Sequence, residues 1–291
     1  MKQHDQVFRF LVEDTPIRGQ LISLDASWQK CRERSDASDF ARNLLGQALG
    51  AITLLASTLK MNGHLTLQIR GTGPIHLLVA QATSHRTLRG LVRESGKISA
   101  DPQSLEQLFG TDKLVITIDS GRGHRHQGIV ALTGSTLREA FQAYFEQSEQ
   151  LPTQLWLACN ETSVSGLLLQ KLPAQNEDAD SWNRLTQLAA TISENELLEL
   201  DAREILHRLF HEESIRLLEP DPVRFECSCS RDRTLDMMKS LGHQEALDII
   251  QEQGQIDISC EFCNAQYQFD LIDIEQLFAS QAPFSVGTTQ H

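Results

Sequence analysis

Four of the six cysteines in this chain fall into two close pairs, Cys227-Ser228-Cys229 and Cys260-Glu261-Phe262-Cys263, separated by residues 230–259. Four thiolates converging on one point are the donor set of a tetrahedral zinc site, and a shell filled by sulfur is structural rather than Lewis-acidic. The same two pairs are ready-made dithiols. A site that can hold either a metal or two disulfides, but not both, is a candidate switch. A C-x-x-C turn presents two sulfurs to one point, where backbone N–H groups stabilise thiolates. C-x-C on an extended strand puts both side chains on one face, because strand side chains alternate. A disulfide across a single residue is strained, and strained disulfides are the labile ones.

The remaining candidates carry less chemistry. Cys31 and Cys159 are isolated, and Cys159 lies in an apolar strand as a core residue. His207, His211 and His243 read as helix-face residues, since four thiolates already complete a shell. Gly121-Arg122-Gly123 reads as a hairpin turn. Neither a Ser-His-Asp or Cys-His constellation nor paired carboxylates stand out, so the chain is not expected to be an enzyme. A net charge of −13 argues against nucleic acid and against anionic membrane surfaces as partners. The N-terminus opens no apolar run of signal-peptide length, and no stretch is apolar enough to span a bilayer. The expectation is a cytoplasmic protein. In that compartment paired cysteines bind metal or do redox chemistry rather than cross-link.

The elements that would position these thiols fall into three regions. Residues 1–172 alternate strand and helix patterns. Strands are predicted at Val7–Val12, Arg18–Leu24, His64–Arg70, Pro74–Ala80, Leu114–Ile118, Gly128–Leu132, Gln154–Cys159 and Gly166–Leu172. A long buried helix is predicted over Asp39–Lys60, with Phe40, Leu44, Leu45, Leu49, Ile52 and Leu55 on its apolar face, and Asn62-Gly63 as the turn after it. A shorter helix follows at Thr136–Gln147. Hairpins outnumber crossovers, so the fold class is α+β with a largely antiparallel sheet. Residues 173–226 form an acidic helical linker, with 13 Asp and Glu against five Arg and no Lys. Ser193 with Glu196 and Asp201 with Glu204 have capping-box spacing. Leu185, Leu188 and Ile192 share one helical face, and Ile205, Leu206, Leu209 and Phe210 another. Such short helices need a surface to dock on, which suits either a permanently packed connector or conditional unfolding. Residues 227–291 form a small four-cysteine zinc domain. Helices are predicted at Thr234–Ser240 and Gln244–Gln253. A hairpin of Gln255–Ser259 and Gln266–Phe269 carries C-x-x-C at its turn, and the tail from Ala279 is frayed. So small a core depends on its metal.

Two stretches, Phe225-Glu-Cys-Ser-Cys-Ser-Arg-Asp-Arg233 and Gly254-Gln-Ile-Asp-Ile-Ser-Cys-Glu-Phe-Cys-Asn-Ala-Gln-Tyr-Gln-Phe269, closely resemble the signature of the bacterial redox-regulated heat-shock chaperones, zinc-dependent holdases of about the 32.7 kDa of this chain. The similarity extends to Tyr144-Phe-Glu-Gln-Ser-Glu-Gln-Leu-Pro-Thr153 and Gly166-Leu-Leu-Leu-Gln-Lys-Leu-Pro173. The resemblance implies one Zn2+ per chain on Cys227, Cys229, Cys260 and Cys263 in a reduced, inactive state. It implies that oxidants form Cys227–Cys229 and Cys260–Cys263 disulfides and release zinc. The zinc domain and linker then unfold, and apolar surface captures unfolding client proteins without ATP. Active family members dimerise. Some relatives carry a further cysteine soon after C-x-C; here residues 230–259 have none.

Two other functions compete with that expectation. A dithiol–disulfide oxidoreductase would use Cys260 and Cys263 and requires a low-pKa, exposed thiolate. A zinc-stabilised binding module without a redox role would keep its metal under mild oxidant.

Overall fold

Strand side chains alternate between two faces, and in several strands of this protein both faces are apolar. Such a sheet must be covered twice. The computed structural model describes residues 5–59, 62–96, 98, 104–120, 125–132, 134–145, 151–173 and 180–279, and divides the chain into two compact units that meet between Glu226 and Cys227.

In chain order the first unit contains β1 (Gln6–Val12), β2 (Ile17–Leu24), α1 (Ala26–Arg32), α2 (Asp39–Thr58), β3 (His64–Arg70), β4 (Ile75–Thr83), β5 (Thr87–Glu94), α3 (Leu105–Phe109), β6 (Lys113–Asp119), β7 (Arg125–Ala131), α4 (Leu137–Tyr144), β8 (Thr153–Cys159), β9 (Val164–Lys171), α5 (Ser181–Ala189), α6 (Glu194–Glu199), α7 (Ala202–Phe210), β10 (Ile215–Leu217), β11 (Asp221–Pro222) and β12 (Arg224–Phe225). One sheet runs β10-β1-β2-β9-β8, with β11 also on β1; the other runs β12-β5-β4-β3-β6-β7. Every pairing is antiparallel except β12 on β5. The α+β class with largely antiparallel sheets is therefore what the chain adopts.

Helix α2 lies between the sheets. Ser38 caps its N-terminus by accepting from the Ala41 N–H. Leu44, Leu45, Leu49, Ile52 and Leu55 are buried as expected, whereas Phe40, in the first turn of the helix, is 43% exposed. A Cβ at Gly46 would collide with Cys159 Sγ, so glycine here lets β8 approach the helix closely. Val7, Ile22, Leu24, Leu155, Val164 and Leu168 face this inner core. Their neighbours Phe8, Phe10, Ile17, Leu21, Trp156, Leu167 and Leu169 face the opposite side, where α5, α6 and α7 cover them. This accounts for the unbroken apolar run in β9.

The acidic segment is thus a cover for a sheet. Leu185, Leu197, Leu198, Ile205, Leu206, Leu209 and Phe210 are buried, and Leu188 and Ile192 pack half-buried beside them. Both capping boxes form, Ser193 with Glu196 and Asp201 with Glu204. After α7 the chain crosses from β1 to β5 as three short strands.

The second unit contains α8 (Arg231–Lys239), α9 (His243–Gln253), β13 (Ile256–Ser259), β14 (Gln266–Phe269) and α10 (Leu271–Ala279). Its core consists of Met238, Ala246, Ile250, Ile256, Phe269, Ile274 and Leu277. Gly242 (φ +99°) and Gly254 (φ +83°) bracket α9 in a backbone region that favours glycine. Among the described residues no helix is long and apolar enough to cross a membrane. The expected turn at Gly121-Arg122-Gly123 and the tail beyond Ala279 lie outside the described residues.

Candidate metal centre

The hairpin of β13 and β14 pairs Ile256 with Phe269 and Ser259 with Gln266, which leaves Cys260–Ala265 as its turn. The Cys260 N–H donates to Ala265 O at 2.8 Å and the Asn264 N–H to Cys260 O at 2.8 Å. Asn264 takes a left-handed conformation (φ 56°), which asparagine tolerates better than most residues. The other two thiols lie on the segment before α8. That segment is not a strand, contrary to expectation: Cys227-Ser228-Cys229 lies outside the strands and helices of the unit. It is held from the helix side instead. Ser230 caps α8 by accepting from the Arg233 N–H at 3.2 Å, and Arg233 Nη1 donates to Ser228 O at 2.6 Å. Arg231 ties the helix to the hairpin. It donates to Gln268 O at 2.7 Å and to Asp273 Oδ2 at 2.6 Å, and lies 4.5 Å from the Phe269 ring centroid.

These anchors bring Cys227, Cys229, Cys260 and Cys263 together, with all four sulfurs within 4.8 Å of one another. Cys227 Sγ and Cys260 Sγ are 3.7 Å apart, and Cys229 Sγ and Cys263 Sγ 3.3 Å. A tetrahedron with Zn–S bonds of ~2.3 Å has edges of ~3.8 Å. Donor type, number and spacing therefore fit one zinc-like metal ion. None of the six cysteines is disulfide-bonded. Because all four sulfurs lie mutually close, proximity alone selects no disulfide pairing.

Burial pushes the Cys263 thiol up to about 12 and raises Cys260 as well; contacts with the other sulfurs add to the rise at Cys263, whereas at Cys260 the contact with Cys227 raises and that with Cys263 lowers. Backbone N–H groups of Phe262 and Cys263, directed at Cys260, and of Ala265, directed at Cys263, pull the other way. Four crowded sulfurs cannot all ionise without a cation among them, and a bound metal displaces their protons. Tyr267 completes the surroundings by donating its hydroxyl to Cys229 Sγ at 3.2 Å. Sequence reasoning missed this residue, although its place in the alternating hairpin was legible. Cys31 and Cys159 are buried in the first unit, and burial raises both thiols to about 12. His207, His211 and His243 are exposed.

Two largely antiparallel sheets about a buried helix, joined to a small unit whose four thiols can hold one metal ion, define an α+β protein with a cysteine-based metal module. A family model described as Hsp33 protein matches residues 5–270. The 33 kDa chaperonin of Nitrosococcus oceani is 46% identical over 291 residues, and that of Methylobacillus flagellatus 41% over 295, each alignment spanning the whole of both chains. The chain belongs to the Hsp33 family. Its fold also resembles the crystal structure of the 33 kDa chaperonin of Thermotoga maritima, with a TM-score of 0.82 at 23% identity over 96% of this chain and 99% of that one.

Proposed function

We propose that this protein is a redox-regulated, ATP-independent chaperone that holds unfolding clients under oxidative stress in the cytoplasm. In the reduced state Cys227, Cys229, Cys260 and Cys263 hold one Zn2+, and the chain is inactive. The carrying observation is the mutual approach of four sulfurs within 4.8 Å in a unit with so small an apolar core. Structural zinc contributes on the order of 10–16 kcal/mol in comparable peptides, far more than such a core supplies.

Oxidant removes two electrons from each dithiol, forming Cys227–Cys229 and Cys260–Cys263, and the metal leaves. Pairing within each short motif closes loops too small to constrain the unit. The alternative, Cys227–Cys260 with Cys229–Cys263, would staple C-x-C to the hairpin and preserve the fold, because long loops lose more entropy on closure. Only local pairing releases the unit. With it go α5, α6 and α7, whose departure uncovers Phe8, Phe10, Ile17, Leu21, Trp156, Leu167 and Leu169. An exposed apolar face of that kind captures unfolded protein and favours dimerisation of the active form, while the net charge of −13 keeps it dispersed.

The test is light scattering from a heat-denaturing client. The oxidised chain is expected to suppress aggregation and the reduced, zinc-loaded chain to leave it unchanged; equal suppression by both removes the switch. The oxidoreductase reading is disfavoured because a zinc ion held by Cys260 and Cys263, together with the C-x-C pair, would sequester both thiols.

A further inference from the structure

Residues 215–225 are paired in an unusual way. This strap supplies three strands of two or three residues, and they cap the edges of two different sheets. β10 pairs antiparallel with β1, Phe10 opposite Leu217 and Val12 opposite Ile215, and β11 pairs Val7 with Asp221. β12 then runs parallel to β5, Arg224 opposite Thr87 and Phe225 opposite Leu88. Main-chain bonds continue beyond the strands. Leu218 N–H donates to Arg9 O at 2.8 Å, Val223 N–H to Asp5 O at 2.8 Å and Glu226 N–H to Leu88 O at 3.1 Å. Ile215 and Leu217 turn inward onto the outer core, and Val223 and Phe225 onto the inner one, while Arg216, Leu218, Pro222 and Arg224 face solvent. An extended segment with alternating apolar side chains is what an unfolded polypeptide offers to a sheet edge.

The strap is built to be replaceable. Pro220 and Pro222 lack the N–H groups that a ladder uses, and its pairing is broken between Leu217 and Asp221 along the seven-residue β1. Its side-chain clasps are few: the Asp221 carboxylate meets Arg9 on β1 and Arg86 before β5, each at 2.7 Å, Arg216 pairs with Glu13 at 2.9 Å, and Arg34 lies 5.0 Å from the Phe225 ring centroid. Beside it a cavity of about 610 Å³, lined among others by Leu11, Thr87, Leu218 and Val223, opens between the sheets.

We propose that the strap is an internal stand-in for client, and that unfolding proteins bind by adding extended, apolar-alternating segments to β1 and β5 once it leaves. This rests on the chaperone reading above and assigns the mode of capture. Main-chain pairing is indifferent to sequence, and edges that accept one antiparallel and one parallel segment tolerate either chain direction. Both suit a holder of many clients.

The experiment is hydrogen exchange of the oxidised full-length chain with and without a denatured client, alongside a scattering assay of the same samples. Amides of residues 6–12 and 87–88 are expected to exchange about ten-fold more slowly with client. A free peptide of residues 214–226 is expected to reduce client capture at least two-fold, and the same peptide with N-methylated backbone amides to have no effect. Unchanged exchange at both edges while aggregation is suppressed overturns edge pairing and leaves the chaperone reading intact. Failure of the oxidised chain to suppress aggregation overturns both. Protection that arises without client and grows with protein concentration assigns the edges to a second copy of the chain instead.

Discussion

The Tyr267 hydroxyl donates to Cys229 Sγ at 3.2 Å, and that contact is the chief reason the phenol is raised to about 12. A donor aimed at one of four sulfurs withdraws charge from it and fixes its direction. Outer partners of this kind are worth about 10–100-fold in metal affinity. Tyr267→Phe keeps the ring and removes the donor. The variant is expected to fold, and to lose zinc to a chromophoric chelator about ten-fold faster than the parent. Equal release would reduce the contact to packing.

Cys263→Ser removes one of four thiolates. The remaining three leave the metal exposed and the small core of Met238, Ile250, Phe269 and Ile274 to stand alone. Zinc stoichiometry is expected to fall, and protease cleavage to appear within residues 227–279 while the first unit survives. A chelator applied to the reduced parent should give the same fragments. A second unit that keeps its protease resistance without metal would refute the dependence.

The disulfide pattern separates release from stapling. Peptide mapping of the oxidised chain under non-reducing conditions is expected to find Cys227 linked to Cys229 and Cys260 to Cys263. The cross-motif pairs, Cys227 with Cys260 at 3.7 Å and Cys229 with Cys263 at 3.3 Å in the folded unit, are the competing outcome. Finding them linked in a client-binding chain would require activation without unfolding of the second unit.

Phe210 is fully buried, its ring centroid 6.2 Å from that of Phe10 across the junction of α7 and β1. Phe210→Ala leaves a void costing about 3–5 kcal/mol. That exceeds what short helices supply for themselves. The variant is expected to capture client at lower oxidant doses, and partly in the reduced state with zinc still bound. Activity indistinguishable from the parent would mean that α5–α7 do not gate capture.

Much of this was legible because patterns were locally strong. Both linker capping boxes, the buried α2 and the hairpin with C-x-x-C at its turn follow from spacing alone. What escaped did so for physical reasons. β5 carries Arg89, Gly90 and Arg93, and the break in its alternation hides a strand that the sheet stabilises from both sides. β10, β11 and β12 are too short to hold a periodic signal and exist only because edges await them. α1, α3 and α10 were likewise unpredicted, two of them too short for a helical period. C-x-C looked like a strand because two-residue spacing is a strand signal, yet a helix cap and an arginine position it.

Acid should loosen the linker at a definable point. The Glu196 carboxylate accepts from the Ser193 N–H and hydroxyl, each at 2.9 Å, and pairs with Arg208. The backbone hydrogen bond is the largest cause of its lowered pKa. A carboxyl whose folded value lies below its unfolded value of ~4.3 contributes stability above that pH, and the contribution is lost as pH falls through the folded value. The cap of α6 is therefore expected to weaken below about pH 4.3. Glu139 at the start of α4 is lowered in the same way by the Ser135 and Thr136 N–H groups. Glu196→Gln preserves an acceptor oxygen and cannot titrate. Hydrogen exchange across residues 193–199, corrected for its intrinsic pH dependence, is expected to accelerate on acidification in the parent and to stay flatter in Glu196→Gln. Acid also strips metal from thiolates, but it does so in both proteins, so their difference isolates the cap. Superimposable profiles would mean that Glu196 is a bystander in the docking of α6.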